Sequence, residues 1–438
     1  MDQQADFDLV LTGGVIVTMD PAQPMIASGF LAVKDETIAA IGADDSTEGK
    51  QAAEQAKRVI HTEGKVLVPG LINAHSHLAM TLFRGFAEDL VLQRWLEKIW
   101  KYELSMLNEE AIHAGSSLAF AELLRSGVTC VHDMYWHYME TINLAEEIGF
   151  RLVSGPPFTT IGDFDFEEML STGRQVLEDL RGYNYILPVM QAHSTYTTSP
   201  EMMREVYKLK MEYGVPFTTH ASENQQEVEE VQSQFGKTPI ELLEEYGLLD
   251  DRTVLAHCVV LRDDEIQMLA DSGTHVAHCP ESNLKLGSGI ARISDMLEAG
   301  VSLCLGTDGP ASNNDLDLLS ELRTAALLQK GRTRNPEVFT TSEAMQMVTI
   351  NGARAYGAES FLGSLEVGKN ADIVVIDLDQ THMTPVHDIC ANLIYSVNKA
   401  DVEMVLINGD IKLEDGVVTC LDEDKAKAEV RSIAGRFV

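Results

Sequence analysis

Val68-Pro69-Gly70-Leu71-Ile72-Asn73-Ala74-His75-Ser76-His77-Leu78 is an apolar run that ends in two histidines one residue apart. Along a β-strand, residues i and i+2 point to the same side, so His75 and His77 share a face. Two neutral imidazoles converging on one point begin a transition-metal site, because imidazole suits zinc, iron, copper and nickel. The spacing also fits two ordinary surface or core histidines. The rest of the chain has to supply the remaining ligands.

Outward from this run, residues 66 to 366 repeat one unit: an amphipathic helix, a glycine at its end, then a short apolar strand that finishes in a polar residue. Ser199-Pro200 reads as an N-cap followed by a first-turn proline; Met202, Val206, Leu209 and Tyr213 form a helical stripe, and Gly214 stops the helix. Thr238-Pro239-Ile240-Glu241 reads as a capping box. Gly127, Gly149, Gly273 and Gly300 take the same stop position before further strands.

Alternating helix and strand predicts parallel βαβ units, and about eight strands, the first spanning Val66 to His77, predict a closed (β/α)₈ TIM-like barrel over residues 67–366. An open doubly wound sheet is the alternative. The polar residues decide between them: His75, His77, Asp133, His193, His220, His257, His278 and Asp308 all fall at C-terminal strand ends. In a barrel those ends surround one mouth, whereas an open sheet spreads them along a line. Residues 1–66 and 367–438 carry short β-type runs, with Asn408-Gly409 as a tight-turn signal. They predict a small composite β-sandwich domain built from both termini.

Lys and Arg number 33 against 68 Asp and Glu, a formal net charge of -35, with a pI near 4.6. That balance excludes the basic footprint of nucleic-acid binding and repels anionic lipid. It fits a well-solvated surface or a source with high internal salt. The opening Met1-Asp2-Gln3-Gln4-Ala5-Asp6 lacks a secretory leader's features, and no apolar run reaches membrane-spanning length. A cytoplasmic protein is therefore expected. The six cysteines are scattered without a Cys-x-x-Cys pair, so reduced thiols are expected.

Beyond the first histidine pair, Met80-Thr-Leu-Phe-Arg-Gly-Phe-Ala-Glu-Asp-Leu90, Trp95-Leu96, Asp133-Met-Tyr135, Cys279-Pro-Glu-Ser-Asn-Leu-Lys-Leu-Gly287 and Leu305-Gly-Thr-Asp-Gly-Pro-Ala-Ser-Asn-Asn-Asp315 stand out. Together these motifs resemble the amidohydrolase superfamily and, within it, the 5-methylthioadenosine/S-adenosylhomocysteine deaminases; triazine hydrolases are a more distant likeness. The resemblance covers nearly the whole chain. It implies that His75, His77, His220 and Asp308 ligate one divalent ion, zinc with iron as the other candidate, as suits three imidazoles and a carboxylate. Relatives with two metals bridge them by a modified lysine on strand four; Tyr185 to Ser194 holds no lysine, so one metal is expected.

The resemblance further implies that Glu223 shuttles protons and that His257 polarises the substrate or steadies the attacking water. Glu103 would bind ribose hydroxyls, His193 would touch the substrate, and Ser312 would contact the base. The implied reaction is hydrolytic deamination of an adenine nucleoside such as 5-methylthioadenosine, adenosine or S-adenosylhomocysteine, with ammonia released. Aminohydrolysis or chlorohydrolysis of pterin, guanine-like or s-triazine rings is the alternative. The expected partners are a small heterocyclic substrate and further copies of the chain in a homo-oligomer.

Residues 154 to 168 contain no Arg or Lys, where relatives that take S-adenosylhomocysteine hold its carboxylate with arginines. An uncharged nucleoside is therefore favoured. The acidic run Glu227 to Glu230 reads as a solvated helix face. His278 and Asn283 read either as lining the mouth or as bracing the strand-seven loop.

Overall fold

The computed structural model describes residues 6–162 and 165–436. Met1 to Ala5 of the opening stretch, Asp163 and Phe164 of the arginine-free loop, and Phe437 and Val438 lie outside them. Eight parallel strands form the barrel: β1 (Leu71–Ser76), β2 (Val128–Asp133), β3 (Arg151–Ser154), β4 in two halves (Ile186–Pro188 and Met190–Ser194), β5 (Phe217–Ala221), β6 (Thr253–His257), β7 (His275–His278) and β8 (Ser302–Leu305). β1, β2, β5, β6 and β7 are buried along their whole length. Helices cover the outer face of such a sheet, which is why the strands read as continuous apolar runs rather than alternating ones.

The ring has one irregular seam. The first half of β4 pairs with β3, and the second half pairs with Pro157–Phe158 and β5. Gly155 makes the crossing possible, since a Cβ there would sit 2.1 Å from the Val189 carbonyl oxygen. The barrel closes between β8 and β1, where the Asp308 N–H donates to the His75 carbonyl at 3.0 Å and the Thr307 N–H to Asn73 Oδ1 at 3.1 Å. These closing bonds sit at the mouth and fix Asp308 beside His75.

Helix signals act where they were read. Ser199 Oγ accepts the Met202 N–H, Gly214 ends that helix in the left-handed region, and Thr238 with Glu241 makes the capping box. The first strand differs from its expectation. The run Val66 to His77 is divided at Gly70: Lys65–Pro69 lies antiparallel to Ile373–Asp377 in the terminal sheet, and the barrel begins at Leu71. A Cβ on Gly70 would meet Thr129 Oγ1 at 2.0 Å. Glycine is required where the chain passes from one sheet into the other.

The terminal sheet has nine strands drawn from both ends of the chain, with Phe7–Val17 next to Met25–Lys34 and Ile373–Asp377 next to Val402–Ile407. It folds over a core that includes Leu11, Leu31, Leu67, Val375 and Leu406. Asn408 and Gly409, at φ of 51° and 79°, make the tight turn between Ile407 and Asp410. Among the described residues no helix is long and apolar enough to cross a membrane.

At the end of the barrel away from the mouth, the buried Arg151 guanidinium donates to both oxygens of Asp372 at 3.2 Å and also to Asn408 Oδ1. Asp372 in turn accepts the Asn408 N–H at 2.9 Å. One ion pair thus ties β3 to the terminal sheet. Arg151→Met leaves a buried carboxylate without its partner and should destabilise the protein by about 3–5 kcal/mol, read as a shifted denaturant midpoint. An unchanged midpoint would show that the pair contributes nothing to holding the sheets together.

Candidate active site

His75 is the penultimate residue of β1 and is fully buried, with no hydrogen-bond partner at either ring nitrogen. His77 follows the strand, and its Nδ1 lies 2.6 Å from the Met134 carbonyl oxygen after β2. Nδ1 of His220 on β5 lies in the same way 2.6 Å from the His193 carbonyl oxygen near the end of β4. A carbonyl oxygen only accepts, so in both rings Nδ1 carries a hydrogen and Nε2, in the neutral ring, is the lone pair left for a ligand. Those two Nε2 atoms face each other at 3.3 Å. The three rings have centroids between 4.7 and 5.3 Å apart.

Asp308 completes the group from beyond β8. Its Oδ2 accepts the Ser282 hydroxyl at 2.6 Å and the Ser312 hydroxyl at 2.7 Å. Its Oδ1 is thereby turned to His77 Nε2 at 3.2 Å and His75 Nε2 at 3.6 Å. Burial drives His75 down to about 4 and His193 down to about 3, and keeps His220 well below its ordinary value. At neutral pH these are uncharged donors. Burial also depresses His77, but without an ion its contact with Asp308 outweighs that and carries it up to about 9, so a proton on Nε2 holds the place that a divalent ion would take.

The donor set fits a divalent ion. His75, His77 and His220 can offer one nitrogen each within 4.8 Å of one another, and so can His75, His257 and Asp308 with an oxygen from the carboxylate. Unpartnered nitrogens in a fully buried ring are rare unless an ion or water uses them, and facing lone pairs need a positive centre between them. The hydrogen bonds from Nδ1 to backbone carbonyls are the kind that orient metal-bound imidazoles.

Around this group opens a cleft lined by His77, His193, His220, Glu223, His257 and Asp308 on the barrel side. Glu223 is buried just past β5; burial, reinforced by Asp308, pushes its carboxyl up to about 8. His257 places Nδ1 2.9 Å from Asn283 Oδ1 and Nε2 3.9 Å from Glu223 Oε2. Asn283 thus braces His257. Backbone strain gathers here, with Ser222, His257, Cys258 and Asp308 at φ between 47° and 73°.

The other wall is helix α1 (Leu92–Met106), which turns Leu92, Trp95, Leu96, Trp100 and Glu103 to the cleft. Leu92, Trp95 and Leu96 therefore both pack in the core and wall the pocket. Buried Glu103 accepts the Tyr135 hydroxyl at 2.6 Å through Oε1 and the Trp136 indole N–H at 3.1 Å through Oε2. Each oxygen keeps a lone pair for the hydroxyls of a ligand. His193 is tied to Thr197 Oγ1 at 2.7 Å and stands edge-on to Trp100.

Ser312 does not take the place read for it from sequence. It is buried, its hydroxyl is engaged by Asp308 and by the Gly309 carbonyl, and it is not among the cleft-lining side chains. The acidic run also divides, because Glu227 is buried while Glu229 and Glu230 are exposed. Its carboxylate accepts the N–H groups of Ser222 and Glu223. Asn224-x-x-Glu227 has the spacing of a capping box, which marks the start of a helix but not the burial of Glu227 or its bonds to Ser222 and Glu223. Ser282 lies within the Cys279 to Gly287 motif, but nothing local in the sequence points to its bond with Asp308 or to that of Trp136 with Glu103.

A parallel barrel with histidines and a carboxylate gathered at its mouth defines a metal-dependent barrel enzyme. The chain belongs to the amidohydrolase family, whose model matches residues 66–412. It is 41% identical over 410 residues to a 5-methylthioadenosine/S-adenosylhomocysteine deaminase of Moorella thermoacetica, covering 93% of this chain and 95% of the relative. It is 37% identical to a 5'-deoxyadenosine deaminase of Methanosarcina mazei, covering 98% of each chain. An adenosine deaminase from Xanthomonas campestris, solved with bound zinc, superposes with a TM-score of 0.94 at 33% identity over 98% of each chain.

Zinc at about a thousandfold over its dissociation constant should stabilise the metal-stripped protein by about 4 kcal/mol, measured as a rise in unfolding temperature. His75→Ala should abolish that rise. A rise of the same size in the variant would remove His75 from the ligand set.

Proposed function

We propose that this protein is a hydrolytic deaminase that replaces the exocyclic amine of an uncharged adenine nucleoside with oxygen and releases ammonia. The observation that carries the reading is the pairing, across one cleft, of the His75, His77, His220 and Asp308 cluster beside Glu223 with Glu103 on the opposite wall. The relatives named for deamination of 5-methylthioadenosine, 5'-deoxyadenosine and adenosine support it. Among the described residues no Lys or Arg lines the cleft, which favours a nucleoside without an anionic tail.

His75, His77, His220 and Asp308 would hold one divalent ion, zinc as in the Xanthomonas campestris relative. Such an ion supplies Lewis acidity, bringing the pKa of water to near neutrality. Glu223 takes a proton from the attacking water as the bond from oxygen to the ring carbon forms. It returns that proton to the amine nitrogen as the carbon–nitrogen bond breaks. With Nδ1 committed to Asn283, His257 keeps an Nε2 lone pair near Glu223 to orient the water. Glu103 accepts the vicinal ribose hydroxyls. The aromatic rings of α1 and of Tyr135 cover the ring and exclude bulk water.

An ammonia-release screen across adenosine, 5'-deoxyadenosine, 5-methylthioadenosine, S-adenosylhomocysteine, guanine, pterins and s-triazines tests the substrate. Turnover should be confined to the adenine nucleosides and highest for the uncharged ones; activity on pterins or triazines alone would overturn the reading. Glu223→Gln should retain metal and lose about 10²–10⁴-fold in kcat, and full turnover with metal bound would contradict the proton path. Glu103→Ala should raise KM for ribosides by about tenfold or more, the loss of charge-assisted hydrogen bonds worth about 1.5–3 kcal/mol. An unchanged KM would take Glu103 out of ribose binding.

A further inference from the structure

We propose that Glu227 is a positioning residue for this site: it holds the backbone that presents Glu223 to the cleft, and it affects turnover only through Glu223. The proposal rests on the reading of Glu223 as the proton carrier.

β5 ends at Ala221 and helix α2 (Gln225–Phe235) begins four residues later. Between them the chain turns through Ser222 in the left-handed region, at φ of 51°. Glu227 Oε1 accepts the Ser222 N–H at 3.1 Å and Oε2 accepts the Glu223 N–H at 2.6 Å. Both oxygens of one carboxylate thereby fix two consecutive peptide units, through charge-assisted bonds of the stronger kind. A first-turn glutamate ordinarily faces solvent or its own helix N-cap. This one turns back past its N-cap, Asn224, whose side chain instead accepts the Glu227 N–H at 2.8 Å. Asn224 and Gln93 of α1 also lie within hydrogen-bond distance through their side-chain amides, at 3.3 and 3.4 Å. The loop that carries Glu223 is therefore held from α2 and from the cleft-covering helix.

Stability alone does not account for the arrangement. A second carboxylate buried next to Glu223 is unfavourable, and burial together with Glu223 pushes Glu227 up to about 7. A neutral side chain that left those two N–H groups to water would avoid the charge. What the carboxylate adds is a single backbone path for Glu223, and small displacements of a catalytic group are reflected in kcat before they are reflected in substrate binding.

Glutamine at 227 keeps the shape but has one acceptor oxygen, and its amide nitrogen would face an N–H donor. Glu227→Gln should lower kcat ten- to a hundredfold with KM within threefold of the parent. Metal content and unfolding temperature should match the parent. Glu227→Asp, which keeps the charge and loses the reach, should fall in the same way. In a Glu223→Gln background, adding Glu227→Gln should change kcat no further, since the group being positioned has gone.

Wild-type kcat in either variant overturns the proposal. So does a full additional loss in the Glu223→Gln background, or loss of metal together with kcat. The two readings also fail separately. Full activity in Glu223→Gln removes the proton carrier and this proposal with it, whereas an inactive Glu223→Gln beside a fully active Glu227→Gln removes only the positioning role.

Discussion

Three imidazoles and an aspartate are packed out of water at one point, and their lone pairs are aimed at each other. His75 has no partner at either ring nitrogen, and the Nε2 atoms of His77 and His220 meet at 3.3 Å. Burying polar atoms in that state is unfavourable by about 1–3 kcal/mol for each group left unsatisfied. A positive centre shared by all of them reverses the balance. The barrel, its closing bonds and the strained residues at its mouth can be understood as what is needed to keep these groups together.

The supporting contacts leave His77, His220 and Asp308 with one free direction each. Met134 and His193 carbonyls take the Nδ1 hydrogens of His77 and His220. Ser282 and Ser312 occupy the far oxygen of Asp308, so that only the near one faces the histidines. Asn283 fixes the His257 ring. Ser222, His257 and Asp308 sit in left-handed backbone at the ends of their strands or just past them, where the chain leaves the regular ladder to aim a side chain. Strands buried end to end offset that strain.

Much of this was legible in the sequence because it is periodic. Glycine stops, N-caps and apolar strands mark each βα unit, and a barrel brings the strand ends to one mouth whatever their separation in sequence. His75 and Asp308 are more than two hundred residues apart, yet both could be placed there. What was not legible depends on three-dimensional contact. The division of the first strand at Gly70 follows from Thr129 pressing against it. Ser312 lies next to Asp308 in the fold and is drawn to its carboxylate rather than to the cleft. Glu227 looks like its exposed neighbours in an acidic run, and only its place on the inner face of α2 buries it. The two donors to Glu103 come from the segment after β2, and no sequence spacing relates them to α1.

Anomalous diffraction from crystals of the zinc-loaded protein, recorded on both sides of the zinc edge, addresses the centre directly. The expected result is a single zinc peak enclosed by His75, His77, His220 and Asp308. A second peak of comparable height, or a peak outside those four side chains, would contradict it.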